Sequence, residues 1–284
     1  MPLLSLTDDQ PFSLDRTLSC GQVFRWHQVP DGGWRGIVGD RLIRIRQDGS
    51  RLTFSGAGKR FIKHYFSLDS DLPAIVASFD RDPFIHRSAE ACHGLRLIRQ
   101  PPWECLVSYI CSTNSNIPMI RKRIEHIARA FGKPVEEKGI TYFGFPKPSL
   151  LAGTCEDILT GCKMGYRGKY VKKTACDVGD TDDWAARIRS LPYEPARREL
   201  MKFSGVGPKA ADCILLFAFQ KYEAFPVDVW IRRIMRERYL PTLVSNTPLS
   251  SNEYNAIRRF ARDHFGEYCG YAQEYLYAAR EEDP

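Results

Sequence analysis

The sequence predicts a mixed α+β protein, an N-terminal antiparallel β-sheet domain followed by a mostly α-helical body. Three observations predict it. Phe24-Arg25-Trp26, Trp34-Arg35-Gly36-Ile37-Val38 and Arg41-Leu42-Ile43-Arg44-Ile45-Arg46 alternate apolar and polar residues with the period of a half-buried strand. From about His93 the apolar residues recur at helical spacing instead. Between two of those helical runs sits a tight Gly205-Val206-Gly207 turn.

In the first sixty or so residues, Asp31-Gly32-Gly33, Gly39-Asp40 and Asp48-Gly49 punctuate the alternation, as in a meander of strands joined by hairpin turns. The arginines of this region read as the solvent face of the sheet. Gly21, just before it, reads as a turn or bulge glycine. Phe61, Ile62, Tyr65 and Phe66, then Leu72, Ile75, Val76 and Phe79, fit short helices with start signals at Asp69 to Asp71. Residues 1–92 therefore form the β-rich domain and 93–284 the helical one.

In the second domain, Trp103, Leu106, Val107, Ile110 and Cys111 form a helical stripe that Ser112-Thr113-Asn114-Ser115-Asn116 interrupts. Ile117, Ile120, Ile124, Ile127, Ala128 and Phe131 resume it until Gly132. A solvated face and a nucleic-acid surface explain Arg121, Lys122, Arg123 and Arg129 on that helix equally well. Residues 133–150 read as a loop with a Phe-Gly-Phe-Pro turn, followed by short helices near 151–159, 166–178 and 184–191. A Pro/Ser/Thr/Asn-rich loop at 240–250 precedes final helices at about 252–264 and 271–280.

The chain has 284 residues, 43% of them hydrophobic, enough for two domains. A net charge of +7 suits a polyanionic partner without requiring one. The nine cysteines are scattered with no CxxC pair, which fits reduced thiols inside a cell, in the cytoplasm or nucleoid. Only Cys269 lies beyond Cys213, so no four-cysteine iron–sulfur loop follows the Asp228 region. The six histidines show no HExxH or HxxxH pairing, so zinc catalysis has no support. No apolar run is long enough for a membrane span, and the N-terminus lacks a signal pattern.

The chemistry concentrates in residues 200–238. Gly205-Val206-Gly207 turns the chain, Pro208 sits in the first turn of a helix where its missing N–H costs nothing, and Lys209 follows. Amide N–H groups at such a helix start suit a phosphate oxygen. One helix later, Pro226-Val227-Asp228 places Asp228 as the N-cap of the next. A lysine among other cations at a helix N-terminus can attack a sugar carbon and form a Schiff base. A carboxylate nearby can orient that amine or stabilise the positive charge building on the sugar. Taken singly, a GxGxK string is common and Asp228 is an ordinary cap; the combination is far more specific.

With these residues in view, the sequence resembles a family. Phe203-Ser204-Gly205-Val206-Gly207-Pro208-Lys209-Ala210-Ala211-Asp212-Cys213 with Pro226-Val227-Asp228 is similar to the helix–hairpin–helix plus Gly/Pro/Asp element of base-excision DNA glycosylases, the hairpin lying at about 200–220. Within that superfamily the chain is most similar to the 8-oxoguanine DNA glycosylases. Ser19-Cys20-Gly21-Gln22-Val23-Phe24-Arg25-Trp26, Leu97-Ile98-Arg99-Gln100, the 110–117 block, Tyr142-Phe143-Gly144-Phe145-Pro146, Gly165-Tyr166-Arg167 and Tyr271-Ala272-Gln273 carry the likeness along nearly the whole chain.

The resemblance implies Lys209 as Schiff-base nucleophile and Asp228 as its acidic partner. It implies that the Gly21 carbonyl accepts the N7–H that the oxidised base has and guanine lacks. Gln273 would read the Watson–Crick edge, and Cys213 and Tyr277 would sandwich the flipped base. Asn114 and Tyr166 would fill the gap in the duplex, with Arg167 on the orphaned base, while Gly205, Gly207 and Trp230 would lie along the DNA backbone. Backbone carbonyls of Met201, Phe203 and Val206 would hold a structural monovalent cation, and no other cofactor is expected. Met119 stands where the best-known eukaryotic members carry an arginine that recognises the opposite cytosine, so weaker discrimination of the opposite base is expected. Trp230 replaces a histidine and Tyr277 a phenylalanine.

The expected activity is a monomeric DNA glycosylase with AP-lyase activity, acting on double-stranded DNA that contains oxidised guanine and having no membrane partner. A glycosylase for another damaged base is disfavoured by Gly21 with Gln273. A non-catalytic helix–hairpin–helix DNA-binding module is disfavoured by Lys209 with Asp228.

Overall fold

The computed structural model describes residues 2–7, 9–154, 159–179, 183–242 and 248–280. Five antiparallel strands, β1 (Leu3–Ser5), β2 (Trp26–Val29), β3 (Gly33–Val38), β4 (Arg41–Asp48) and β5 (Arg51–Ser55), form a sheet in the order β1-β5-β4-β3-β2. The alternation works as expected: β4 buries Ile43 and Ile45. Trp26, Trp34, Leu52 and Phe54 join them in a core closed by Leu18 of α1 (Leu14–Ser19) and by Phe66, just past α2 (Lys59–Tyr65). Gly36 is required there, because a Cβ would fall 2.2 Å from the Trp26 ring.

The outer face of the sheet is not left to solvent. Residues 133–150 contain a β-hairpin, β6 (Pro134–Glu137) paired with β7 (Ile140–Phe143), where the sequence read as loop. Lys138 and Gly139 both take positive φ at its turn, the pattern of a tight two-residue hairpin. An isolated two-stranded hairpin is barely stable in water. This one is held by arginines of the sheet. Arg44 pairs with Glu137 at 2.6 Å and Arg35 donates to the Tyr142 hydroxyl at 2.9 Å. Arg25 donates to the Phe143 carbonyl and lies 3.6 Å from Glu104.

Helices α3 (Leu72–Phe79) and α4 (Pro83–Ala91) start at Asp71 and Asp82, whose side chains accept amides of their first turns. The larger core takes in α3 and α4 together with α5 (Pro102–Ser112), α6 (Ile117–Phe131) and the helices beyond. The predicted break between α5 and α6 is present, and Asn116 caps α6 by accepting the Met119 N–H at 3.0 Å. Arg123 of α6 is neither on a solvated face nor on a nucleic-acid surface. It is buried, donating to the carbonyls of Lys163 and Cys111 and to the Ser115 hydroxyl, and so it fixes the α5–α6 loop.

Helix α7 (Pro148–Ala152) leads to α8 (Arg167–Val178), α9 (Asp183–Ser190) and α10 (Tyr193–Leu200). After the glycine turn, α11 (Pro208–Phe219) is buried on all sides from Ala210 to Phe219, wider than the predicted stripe, as befits the central helix of a globular body. It packs against α5 and α10. One charge lies within this core. Asp212 is fully buried and accepts from Tyr193 (2.7 Å), Arg197 (2.9 Å) and Tyr254 (2.6 Å), with Arg258 at 3.5 Å. That network ties α11 to α10 and α13 (Ser251–Phe265). Helices α12 (Val229–Ile234) and α14 (Cys269–Ala279) complete the body.

Candidate active site

The hairpin forms as its glycines dictate. The Val206 N–H reaches back to the Phe203 carbonyl at 3.1 Å, and Gly205 holds φ +83°. A Cβ on Gly205 would meet Tyr170 at 2.9 Å and Ile110 at 3.1 Å, so α5 and α8 press on this turn. Gly207 is the N-cap of α11 and offers no side chain to the first-turn amides, which stay available to an external acceptor. Lys209, the second residue of the helix, is half-buried, with Nζ 5.2 Å from the centre of the Tyr109 ring. Asp228 caps α12 as expected, its Oδ1 accepting the Ile231 N–H at 2.8 Å.

Both residues line one open cleft of about 760 Å³. Gly21, Gln273, Cys213, Tyr277, Asn114, Trp230 and Gly207 line it too, so residues from both ends of the chain meet around Lys209. Gly21 holds φ +102°, and Tyr277 packs beside it. Gln273 is 5% exposed and its Oε1 has no hydrogen-bond partner. Burial pushes the Cys213 thiol up to about 12 and the Tyr277 phenol up to about 12, so both are neutral at physiological pH. Asn114 adopts φ +48° in the α5–α6 loop.

Gly205, Met119, Tyr166 and Arg167 lie outside the cleft lining. Tyr166 is exposed, and Arg167 is buried with its guanidinium carbon 4.4 Å from the centre of the Tyr166 ring. Arg167 donates to the Thr113 and Asn114 carbonyls, bracing the loop that carries Asn114. Met119 is 38% exposed at the start of α6.

The chain as a whole is similar to known proteins. Residues 4–106 match the family model of the 8-oxoguanine DNA glycosylase N-terminal domain. A probable N-glycosylase/DNA lyase of Methanothermobacter thermautotrophicus is 34% identical over 236 residues, covering 76% of this chain and 72% of that protein. The 8-oxoguanine glycosylase/lyase of Clostridium acetobutylicum, solved with double-stranded DNA containing cytosine opposite 8-oxoguanine, superposes with a TM-score of 0.89 at 34% identity, over 100% of this chain and 99% of that one. The chain belongs to the 8-oxoguanine DNA glycosylase family. An Arabidopsis thaliana N-glycosylase/DNA lyase is 27% identical over 97% of this chain and 79% of its own length. The activity is that of a DNA glycosylase with an associated lyase step.

Three residues of this glycosylase's cleft escaped the sequence reading. Gln22 is 1% exposed; its amide donates to the Thr17 and Arg96 carbonyls and accepts the Ile98 N–H, while its own carbonyl accepts from Gln100. That cross-linking fixes the backbone of the adjacent Gly21. Tyr109 reads as one more core residue of α5, yet its ring faces the Lys209 amine. Glu274 is the third, and its only sequence signal is a carboxylate inside the apolar run Tyr271–Ala279. Among the described residues, no group of three or more His, Cys, Asp and Glu is placed to hold a metal ion.

Proposed function

We propose that this glycosylase flips 8-oxoguanine out of duplex DNA and excises it through a Schiff base on Lys209, with a relaxed preference for the opposite base. The observation that carries the reading is the meeting of Lys209 and Asp228 in one cleft with Gly21 and with the unpartnered Oε1 of Gln273. A buried acceptor without a donor is costly, and a base presenting N–H groups supplies one. The Gly21 carbonyl, fixed by Gln22, takes the N7–H; guanine would set a lone pair against it, leaving that acceptor unpaired and repelled. Cys213 and Tyr277, both uncharged, take the faces of the base.

In the reaction, the Lys209 amine attacks C1′ and the electron pair of the N-glycosidic bond leaves with the base. The Asp228 carboxylate, oriented by its bond to Ile231, stabilises the positive charge that builds on the sugar. Ring opening gives the Schiff base, from which loss of a C2′ proton and departure of the 3′ phosphate nick the strand. Asn114, in the cleft lining, and the exposed Tyr166 fill the space vacated in the duplex. The first-turn amides of α11 bind a backbone phosphate, which adds grip without reading sequence.

The hairpin also suits the monovalent cation expected there. The Phe203 carbonyl accepts one bond from Val206, which leaves it a free lone pair, and neutral carbonyl oxygens are the donors an alkali ion prefers. Met201, Phe203 and Val206 would hold it, and when bound it would add positive charge facing the phosphate.

Incubating the protein with an 8-oxoguanine duplex and borohydride tests the mechanism. A covalent adduct that Lys209→Gln abolishes is expected. No adduct, or one that survives the substitution, would refute it.

A further inference from the structure

Glu274 sits on α14 beside Gln273 and lines the same cleft, yet the mechanism above gives it no task. It is 3% exposed and its Oε1 has no hydrogen-bond partner. Among the described residues it makes no ion pair within 4.0 Å. A buried carboxyl in that condition weakens the fold, so its presence points to the cleft it faces.

The groups around it are few. The Cys20 thiol, at the end of α1, donates to the Thr17 carbonyl at 3.4 Å and feels the charge of Glu274, and burial keeps that thiol protonated. Asp228 at the head of α12, Lys209 on α11 and Arg280 just past α14 act on it electrostatically. Tyr277, Cys213 and Tyr109 feel its charge in turn. Helices α3 and α4 turn Ile75, Phe79, Ile85 and Ala89 into the same core. Arg258 of α13 is committed to Tyr193, Glu194 and Asp212. Burial, with Asp228 as the repelling neighbour, pushes the Glu274 carboxyl up to about 7.

We propose that Glu274 is a second acid–base residue of this glycosylase, accepting the ammonium proton of Lys209 and returning it to the departing base. The inference rests on Lys209 being the nucleophile. Lys209 enters as an ammonium and Glu274 as a carboxylate. The proton passes to Glu274, leaving a free amine and a neutral acid in the buried cleft. The amine forms its bond to C1′ as the glycosidic bond breaks, and the electron pair goes to the base. Glu274 protonates the base and returns to carboxylate, ready for the next cycle. Asp228 is less suited to this, because one of its oxygens is fixed by the α12 cap.

Single-turnover excision and borohydride trapping, each followed from pH 5.5 to 9.5 with wild type, Glu274→Gln and Glu274→Asp, test this. Wild-type excision should rise with pH through a limb near 7. Glu274→Gln should lose that limb and excise on the order of 100-fold more slowly at pH 7.5. Its deficit should shrink toward pH 9.5, where solvent hydroxide can take the proton in place of the carboxylate, and Glu274→Asp should keep a limb. Melting temperature and affinity for undamaged duplex check that the variants are folded. A Glu274→Gln protein that keeps the limb and rate overturns the proposal, as does one that is folded, binds DNA and is inactive at every pH. Absence of any adduct with wild type at all pH values would instead sink the Schiff-base reading, leaving the excision profile to judge Glu274.

Discussion

Tyr277, from the last helix, stands against Gly21, from the first segment: its Cε1 lies 3.6 Å from where a Gly21 Cβ would be. The same Cβ would meet Ile117 Cδ1 at 3.2 Å, and φ of +102° already disfavours any side chain. Gly21→Ala should therefore strain the turn by about 1–3 kcal/mol and swing the carbonyl away from the cleft. The expected result is at least a tenfold slower excision of 8-oxoguanine, with binding to undamaged duplex retained. Excision at the wild-type rate would show that the Gly21 carbonyl does not read the base.

Asp212 gives a prediction about stability alone. Burial raises its carboxyl, while Arg197 and Arg258 pull it down. Four side chains from α10 and α13 converge on it, so removing it strands two buried guanidinium groups. Asp212→Ala should cost about 3–5 kcal/mol, measured by denaturant unfolding. A loss below about 1 kcal/mol would mean that the network is not what joins these helices.

What the sequence revealed and what it hid follow one division. The sheet was legible because its alternation is local, and the starts of α3 and α12 because Asp71 and Asp228 cap the turns that follow them. Lys209 and Asp228 were legible as a pair because one motif fixes both. The β6–β7 hairpin was not, since its strands are only four residues each and depend on Arg25, Arg35 and Arg44 from a distant part of the chain. Arg123 read as a surface charge because nothing local reveals the carbonyls that surround it. Glu274 was hidden for the same reason: its burial is a property of the assembled cleft.

The environment of Glu274 has a consequence for folding. Its carboxyl lies at about 7 in the folded protein against an ordinary value of 4.5. Below pH 4.5 both states hold the proton and the group contributes no difference. Between 4.5 and 7 only the folded state keeps it, so stability from this group falls as pH rises. Above 7 the buried carboxylate carries the full penalty, on the order of 3 kcal/mol. Glu274→Gln removes the titration. The variant should match wild type near pH 4 and become progressively more stable than it up to pH 8, as read from melting curves. A stability difference that is flat across this range would contradict the raised carboxyl.

Met119 sets the final prediction. It stands in the first turn of α6, 38% exposed, three residues past the Asn116 cap and just past the loop that carries Asn114. A thioether offers no hydrogen-bond donor to a base edge. Arg167, the nearby guanidinium expected at the orphaned base, already donates to the carbonyls of Thr113 and Asn114. Discrimination among opposite bases is therefore expected to be shallow in wild type. Met119→Arg adds donors at an exposed position and should raise the preference for cytosine over adenine opposite 8-oxoguanine by about tenfold, one charged hydrogen bond's worth. Excision rates with each of the four opposite bases measure it. A strong cytosine preference already present in wild type would show that other groups read the opposite base, and an unchanged ratio in Met119→Arg would place position 119 away from it.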